Sequence, residues 1–381
     1  MKILITAAAA AIGYKLTNIK AHAWFGDTHK DIIKKALELL KKENKTKAYS
    51  FFEGYEKELI KGSTAPDRAK DIEHGSGMHY YSCCKPHGKE LPNINGYYKN
   101  RHGKFLPSAR TLMEQNYSSA VSLYKSGMIK ESMTCFARAA HFVSDMGCTV
   151  HTANIRCFNR RGNIHNSYEE HANVNYKGCS AENMDKRLNK YYEKENFQDA
   201  LNKLIGFSSK YVKQVRTLDP KAFDDAEKNT LVYTQQNVAA LMIRFFNDCT
   251  KENNKYLSQD RNYIIKNLKT GLLVTVTTKG LIMAESDSEL DQRLRIEWNN
   301  KGYFCFVTTD SLYISNDLKR LIDKDSNTSH ALFRTIYLGK DKYILTVGEK
   351  NFKRVLSCSD SGRIRTEKFD PRRSSQIWTI N

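Results

Sequence analysis

The apolar periodicity of this chain changes once, near residue 260, and the change divides what it can fold into. From residue 27 to about 250 the apolar residues recur at helical spacing. His29, Ile32, Ile33, Ala36, Leu37 and Leu40 fall on one face of a helix that Asp27 and Thr28 can cap. A second helix is expected over 118–126, leading through Gly127 into a third over 129–144. On the third, Phe136, Ala139, Ala140 and Val143 form a stripe beside His141. A further helix is expected over 231–248. Residues 251–260 are polar and read as a linker.

Beyond the linker come short strands separated by turn residues. Tyr263, Tyr303 and Tyr343 are spaced by 40 residues, and Trp298, Leu338 and Trp378 follow each of them at a constant interval. Three strand-rich units of this length predict a closed, threefold β architecture. An eight-stranded sandwich is the alternative, and the period argues against it. Gln376-Ile377-Trp378 resembles the Gln-x-Trp element of ricin-B-like β-trefoil lectins. The earlier units do not keep that element, so Trp298 and Trp378 also read as plain core residues.

The N-terminus carries Lys2, then an apolar run over residues 3–13, then Ala21-His22-Ala23. The run is too short to span a bilayer. The pattern predicts a signal peptide over 1–23, cleaved before Trp24, and a secreted, extracellular protein. The formal net charge is +19, and the leader contributes only three of the basic residues, Lys2, Lys15 and Lys20. A basic chain of this kind suits anionic partners, such as a phospholipid surface or nucleic acid. All nine cysteines lie beyond the cut, and secretion predicts that most are paired. Asn44, Asn116 and Asn327 head N-glycosylation sequons.

Histidines and carboxylates concentrate in the helical half. His141 and Asp145 share a helix face at i, i+4, His151 follows a break at Gly147, and His165 and Glu169 form a second i, i+4 pair. Imidazole and carboxylate donors in one set suit zinc. His141 lies among Ala and Phe, where a solvated ion pair has no place.

These pieces, in order, resemble the zinc-dependent bacterial phospholipase C family, which includes clostridial α-toxin-type enzymes. The matching segments are Trp24, the helix with His29, Gly62-Ser63-Thr64-Ala65-Pro66-Asp67, Met78-His79-Tyr80-Tyr81, HFVSDMGCTVHTAN over 141–154, His165 to Glu169, and the late helix NVAALMIRFFNDC. The resemblance spans 24–250. It implies a multidomain chain: an all-α phospholipase C/zinc-nuclease-like domain over 24–250, the linker, and an all-β domain, the β-trefoil, over 261–381.

The resemblance also implies three zinc ions. Trp24, through its new α-amino group, would hold one with His29 and Asp145. Asp67, His79 and His141 would hold a second, with Asp145 as bridge. His151, His165 and Glu169 would hold the third. Asp67 is the implied catalytic residue, a general base or water-orienter. The implied reaction is hydrolysis of a phosphatidylcholine-like phosphodiester to diacylglycerol and a phosphorylated head group, with a glycan or membrane as partner of the C-terminal domain.

One departure keeps an alternative open, and a second alternative stands beside it. The short step from Trp24 to His29 resembles the related zinc nucleases of single-stranded nucleic acid, whereas the gaps from Asp67 to His79 and from His151 to His165 resemble the phospholipases. The second alternative is an inactive enzyme-like domain in a lectin. Phe25, Tyr80 and Tyr81 are candidate cage residues for a quaternary ammonium, with core packing as the competing reading. His74, His87, His102 and His171 fit no ligand pattern and read as surface or loop residues.

Overall fold

A computed structural model describes residues 26–381 apart from 76, 85–97, 100–104, 156–162, 195, 252–255, 278–279, 288–291, 317–319, 324–330, 349–353 and 371. The expected leader, Trp24, Phe25, His87, His102, Cys157 and Asn327 lie outside the described residues.

The first part is helical: α1 (Gly26–Lys42), α2 (Thr46–Phe52), α3 (Glu56–Ser63), α4 (Ala109–Lys125), α5 (Ile129–Gly147), α6 (Thr149–Thr152), α7 (Ile164–Asn175), α8 (Lys186–Tyr192), α9 (Gln198–Ser208), α10 (Val212–Val215) and α11 (Pro220–Thr250). A two-stranded ribbon, β1 (Tyr98–Lys99) and β2 (Phe105–Leu106), precedes α4. Helix α1 buries Ile32, Ile33, Ala36, Leu39 and Leu40, as its stripe requires.

Helix α4 starts well before the expected 118. The Ser108 side chain accepts from the Thr111 N–H and the Thr111 hydroxyl accepts from the Ser108 N–H, so both orphan donors are satisfied. Helix α11 likewise starts before 231, with Asp219 as N-cap and Pro220 pre-set for the first turn.

Two glycines set how closely helices approach α5. A Cβ on Gly62 would lie 2.3 Å from the Thr134 carbonyl oxygen and 2.6 Å from the Ala137 Cβ. One on Gly147 would lie 1.9 Å from Thr234 Oγ1 on α11. Gly62→Ala is therefore expected to destabilise the fold by about 1–3 kcal/mol, since the obstruction is backbone. A shift of that size in urea unfolding checks it, and an unchanged midpoint would show that α3 can move away freely.

The second part is all-β and antiparallel: β3 (Ile265–Asn267), β4 (Leu273–Thr277), β5 (Gly280–Ala284), β6 (Arg295–Trp298), β7 (Phe304–Val307), β8 (Tyr313–Ile314), β9 (Leu321–Ile322), β10 (Phe333–Gly339), β11 (Lys342–Val347), β12 (Arg354–Cys358), β13 (Ile364–Lys368) and β14 (Trp378–Ile380). In groups of four, the pairing repeats three times. The first strand of each group pairs with the second, and the second with the third. The first also meets the fourth of its own group, through Tyr263↔Leu294, Phe304↔Phe333 and Tyr343↔Trp378. The fourth pairs with the first of the next group, and β14 closes on β3.

Tyr263, Tyr303 and Tyr343 are all buried, and Trp378 is fully buried with its Nε1–H donated to the Leu356 carbonyl. The Gln376 side chain accepts from the Asp370 N–H and donates to the Lys368 carbonyl, folding its own loop. The Gln-x-Trp element is thus built into the fold here.

The two parts pack together. The Gln115 amide on α4 donates to Thr346 Oγ1 at 3.0 Å, and Ser119 Oγ donates to the Gly302 carbonyl at 2.9 Å. The end of the stretch taken as a polar linker is not solvated. Tyr256 and Leu257 are buried, and the Tyr256 hydroxyl donates to Asp248 at 2.8 Å.

Two sequence expectations fail here. Asn116 is 1 % exposed and bonded to Glu73 and Arg334, so no glycan can attach to its amide in the folded state. No disulfide joins any two of the described cysteines. Cys135, Cys148, Cys179, Cys249, Cys305 and Cys358 are packed as buried, small apolar side chains, which is how unpaired cysteine commonly sits.

Candidate metal centre

Helix α5 is the axis of the site. Its His141 and Asp145 lie one turn apart and are both fully buried. Helix α1 brings His29, the turn after α3 brings Asp67, and the following loop brings His79. The rings of His29 and His141 lie 4.1 Å apart, and those of His79 and His141 5.2 Å apart.

Both carboxylates span the cluster. Asp145 presents Oδ1 to His29 Nε2 at 3.6 Å, and Oδ2 to His79 Nδ1 at 2.8 Å and His141 Nε2 at 3.2 Å. Asp67 presents Oδ2 to His29 Nε2 at 3.6 Å, and Oδ1 to His79 and His141 at 3.7 Å. Bridging by Asp145 was implied by the sequence; the matching placement of Asp67 was not.

A second group lies beside the first, joined to it through the His79 backbone, whose carbonyl accepts from His151 Nδ1 at 2.7 Å. Glu169 Oε1 lies 3.2 Å from His151 Nε2 and 3.0 Å from His165 Nε2. All three side chains are 1 % exposed. Of the nine residues expected as ligands, the eight described ones therefore converge in these two groups, and Trp24 lies outside the described residues.

Backbone carbonyls fix the rings. His141 Nδ1–H donates to the Ser63 carbonyl at 2.8 Å and His165 Nδ1–H to the Ile155 carbonyl at 2.7 Å. With His151, this leaves three Nε2 atoms as acceptors facing the carboxylates, the arrangement metal-ligating histidines adopt. The close contact of α3 with α5 at Gly62 is what sets the Ser63 carbonyl over His141.

Burial opposes ionisation of Asp145, yet His141 and His79 beside it hold its carboxyl well below the usual range. Burial also opposes ionisation of Glu169, and His165 and His151 again hold it low. Asp145 Oδ1 is buried without a hydrogen bond. An ionised, buried carboxylate oxygen of that kind is costly unless a cation meets it. The donors are nitrogen and oxygen only in the first group, and the groups of wholly buried-class residues within single-ion reach are His29, His141 and Asp145, then Asp67, His79 and His141, then Cys148, His151 and Glu169. The residues present fit zinc.

Sequence reasoning missed three features. Cys148 is fully buried beside His151 and Glu169, and the short spacing in Cys148-Thr149-Val150-His151 was the available signal. Burial and the Glu169 charge keep it a thiol, with its pKa pushed well up. Tyr80 stacks on His151 at 4.6 Å, and its hydroxyl lies 3.3 Å from His165 Nδ1. Tyr80 thus braces both rings. Tyr81 is also buried, its hydroxyl donating to Asn202 at 2.8 Å, so neither tyrosine is an open cage wall. Third, His171 is no isolated surface residue: it faces Glu227 and Asp224. Burial and the Asp224 charge push the Glu227 carboxyl up to about 9. His74 is half-buried.

The model of the family described as zinc dependent phospholipase C matches residues 28–218, half of the chain. The chain belongs to the zinc-dependent phospholipase C family. No curated protein sequence matches it. Among solved structures it is similar to the α-toxin of an avian strain of Clostridium perfringens, at 14 % identity over 90 % of this chain and 96 % of that one, with a TM-score of 0.48. The α-toxin of Clostridium absonum matches at 17 % identity over 92 % and 95 %, with a TM-score of 0.44. A GlcNAcα1-4Gal-releasing endo-β-galactosidase from Clostridium perfringens matches at 10 % identity and a TM-score of 0.28 over 31 % of each chain, so this chain spans less than a third of that enzyme.

Proposed function

We propose that this member of the zinc-dependent phospholipase C family is a secreted hydrolase of phosphatidylcholine-like phospholipids, with a C-terminal β-trefoil that docks it on a glycan or a membrane. The observation that carries the reading is the convergence of His29, Asp67, His79, His141, Asp145, His151, His165 and Glu169 in two buried groups. The trefoil reading rests on the threefold repeat of strand pairing. Among the described residues no helix is long and apolar enough to cross a membrane.

His29 and Asp145 would hold one zinc with the Trp24 amine. Asp67, His79 and His141 would hold a second with Asp145, and His151, His165 and Glu169 a third. Zinc bound there supplies positive charge for the diester oxygens and lowers the pKa of water. The protein's own part is orientation and proton handling. Carbonyl-bound Nδ1 atoms keep each Nε2 in its acceptor form. Asp67, 7 % exposed and facing His29, His79 and His141, is placed to hold the attacking water and accept its proton. The water oxygen would bond to phosphorus as the bond from phosphorus to the diacylglycerol oxygen breaks on the opposite side, and the departing oxygen would take up a proton from Asp67 or from solvent.

The test is to purify the processed protein and measure bound zinc. Phosphatidylcholine, sphingomyelin and single-stranded DNA are then assayed in parallel, with and without a chelator. Chelator-sensitive release of diacylglycerol from phosphatidylcholine is expected. Cleavage of DNA alone would replace this reading with the nuclease one, and absence of both zinc and cleavage with the inactive-lectin one.

The Trp24 role has its own check. A form retaining residues before Trp24 should lose roughly tenfold or more of the activity, the scale seen when a ligand's support is removed. Full activity of that form rules out the amine as a ligand.

A further inference from the structure

Helix α7 faces two ways. Glu169 and His165 point into the buried centre, while His171, two residues past Glu169, is turned about 200° round the axis and meets α11. There His171 Nδ1 lies 2.9 and 3.0 Å from the two carboxylate oxygens of Glu227. His171 Nε2 lies 3.6 Å from Asp224 Oδ1. Asp224 and Glu227 are three residues apart on α11, so they share a face. One donor atom from each of the three residues can be chosen with all of them within 4.8 Å of one another.

We propose that His171, Asp224 and Glu227 form a divalent transition-metal site separate from the buried centre. The spacing suits a single ion, because neighbouring ligands at bonds of about 2.0–2.2 Å stand roughly 3–3.5 Å apart. The donor set suits one too: two carboxylates face one imidazole, and Glu227 is 1 % exposed. The imidazole favours zinc over calcium and magnesium, which prefer all-oxygen ligands. The Asp224 side chain is 63 % exposed, which leaves an entry path and room for water ligands. An ion there clamps α7 to the start of α11 and holds the helix that carries His165 and Glu169. Phe223 completes the contact, 5.4 Å from the His171 ring and 5.3 Å from the Tyr168 ring.

The site is tested on the full processed chain, dialysed against zinc and assayed for metal per chain by mass spectrometry. Asp224→Ala and His171→Ala are expected each to lower bound zinc by one equivalent relative to wild type. The exposed Asp224 position keeps the fold intact, with circular dichroism as the control. Combining Asp224→Ala with Asp145→Asn should lower zinc further than either alone, which separates this site from the buried centre. Zinc content equal to wild type in the folded Asp224→Ala protein would overturn the proposal and leave an ion pair only.

Discussion

Replacing Asp145 with asparagine is expected to strip zinc from the proposed buried centre and to lower turnover of the proposed phospholipid substrate by more than about 100-fold. That bound is taken from residues that only support a ligand, whose loss costs about 10–100-fold, and Asp145 stands closer to the chemistry than any of them. Its Oδ1 faces His29 and its Oδ2 faces His79 and His141, so the carboxylate joins the two sides of the cluster. Asparagine keeps the shape but offers one oxygen. Its amide NH₂ must then face either His29 or the His79 and His141 pair, and either choice aims a donor where a cation belongs. The negative charge is lost as well. Burial works against that charge, and His141 and His79 beside it hold the carboxyl well below its usual range. The variant should fold, because the swap is isosteric and the position is fully buried on α5. Metal content and turnover, measured on the same folded sample, decide the matter. Wild-type zinc with turnover above half of wild type would show that Asp145 is a structural partner of His79 and nothing more.

Much of this site was legible because the donors come in an order, and order is a property of sequence. The i, i+4 spacings of His141 with Asp145 and His165 with Glu169 placed each pair on one helix face, and both pairs meet there. The spacing of Tyr263, Tyr303 and Tyr343 likewise foreshadowed the threefold pairing, since it counts residues round a closed sheet. What sequence could not show was distance across the fold. The placement of Asp67 across the cluster depends on how α3 approaches α5, which is a packing fact.

Helix starts were misplaced for a different reason. The first turns of α4 hold Arg110, Glu114, Gln115 and Asn116, polar side chains that are all buried. Arg110 pairs with Glu114 at 2.9 Å, Gln115 bonds Thr346, and Asn116 bonds Glu73. A helix buried on every side by polar pairing has no apolar stripe to read. The same burial removed Asn116 from the glycosylation candidates. The cysteines misled because the pairing rule looks to compartment, whereas burial in the helical core and the β part satisfies them singly.

Replacing Glu73 with glutamine should destabilise the chain by about 3–5 kcal/mol at pH 7, the cost of removing one partner of a buried ion pair. Glu73 is fully buried where the loop from Asp67 to His79 meets both parts of the protein. Arg334 of β10 donates to its Oε1 at 2.8 Å, and Arg138 of α5 donates to its Oε2 at 3.0 Å. Asn116 of α4 donates to Oε1 at 2.9 Å and accepts from Arg334 at 2.7 Å. Loss of the charge leaves Arg334, 2 % exposed, with no carboxylate among these contacts. The network also has a pH signature. Burial raises the Glu73 carboxyl, but Arg138 and Arg334 outweigh it and lower the carboxyl from 4.5 to about 2. A depressed folded-state value means the unfolded chain takes up the proton first. The contribution is therefore complete above the unfolded value and is lost as pH falls from 4.5 through about 2. Its size is about 3 kcal/mol, at 1.36 kcal/mol per pH unit. Urea unfolding at pH 7, 5 and 3 should show wild type losing stability toward the lowest pH more steeply than Glu73→Gln, so that the two curves converge. Parallel curves, or a difference below about 1 kcal/mol at pH 7, would mean that desolvation cancels the ion pairs and that other contacts hold the helical and β parts together.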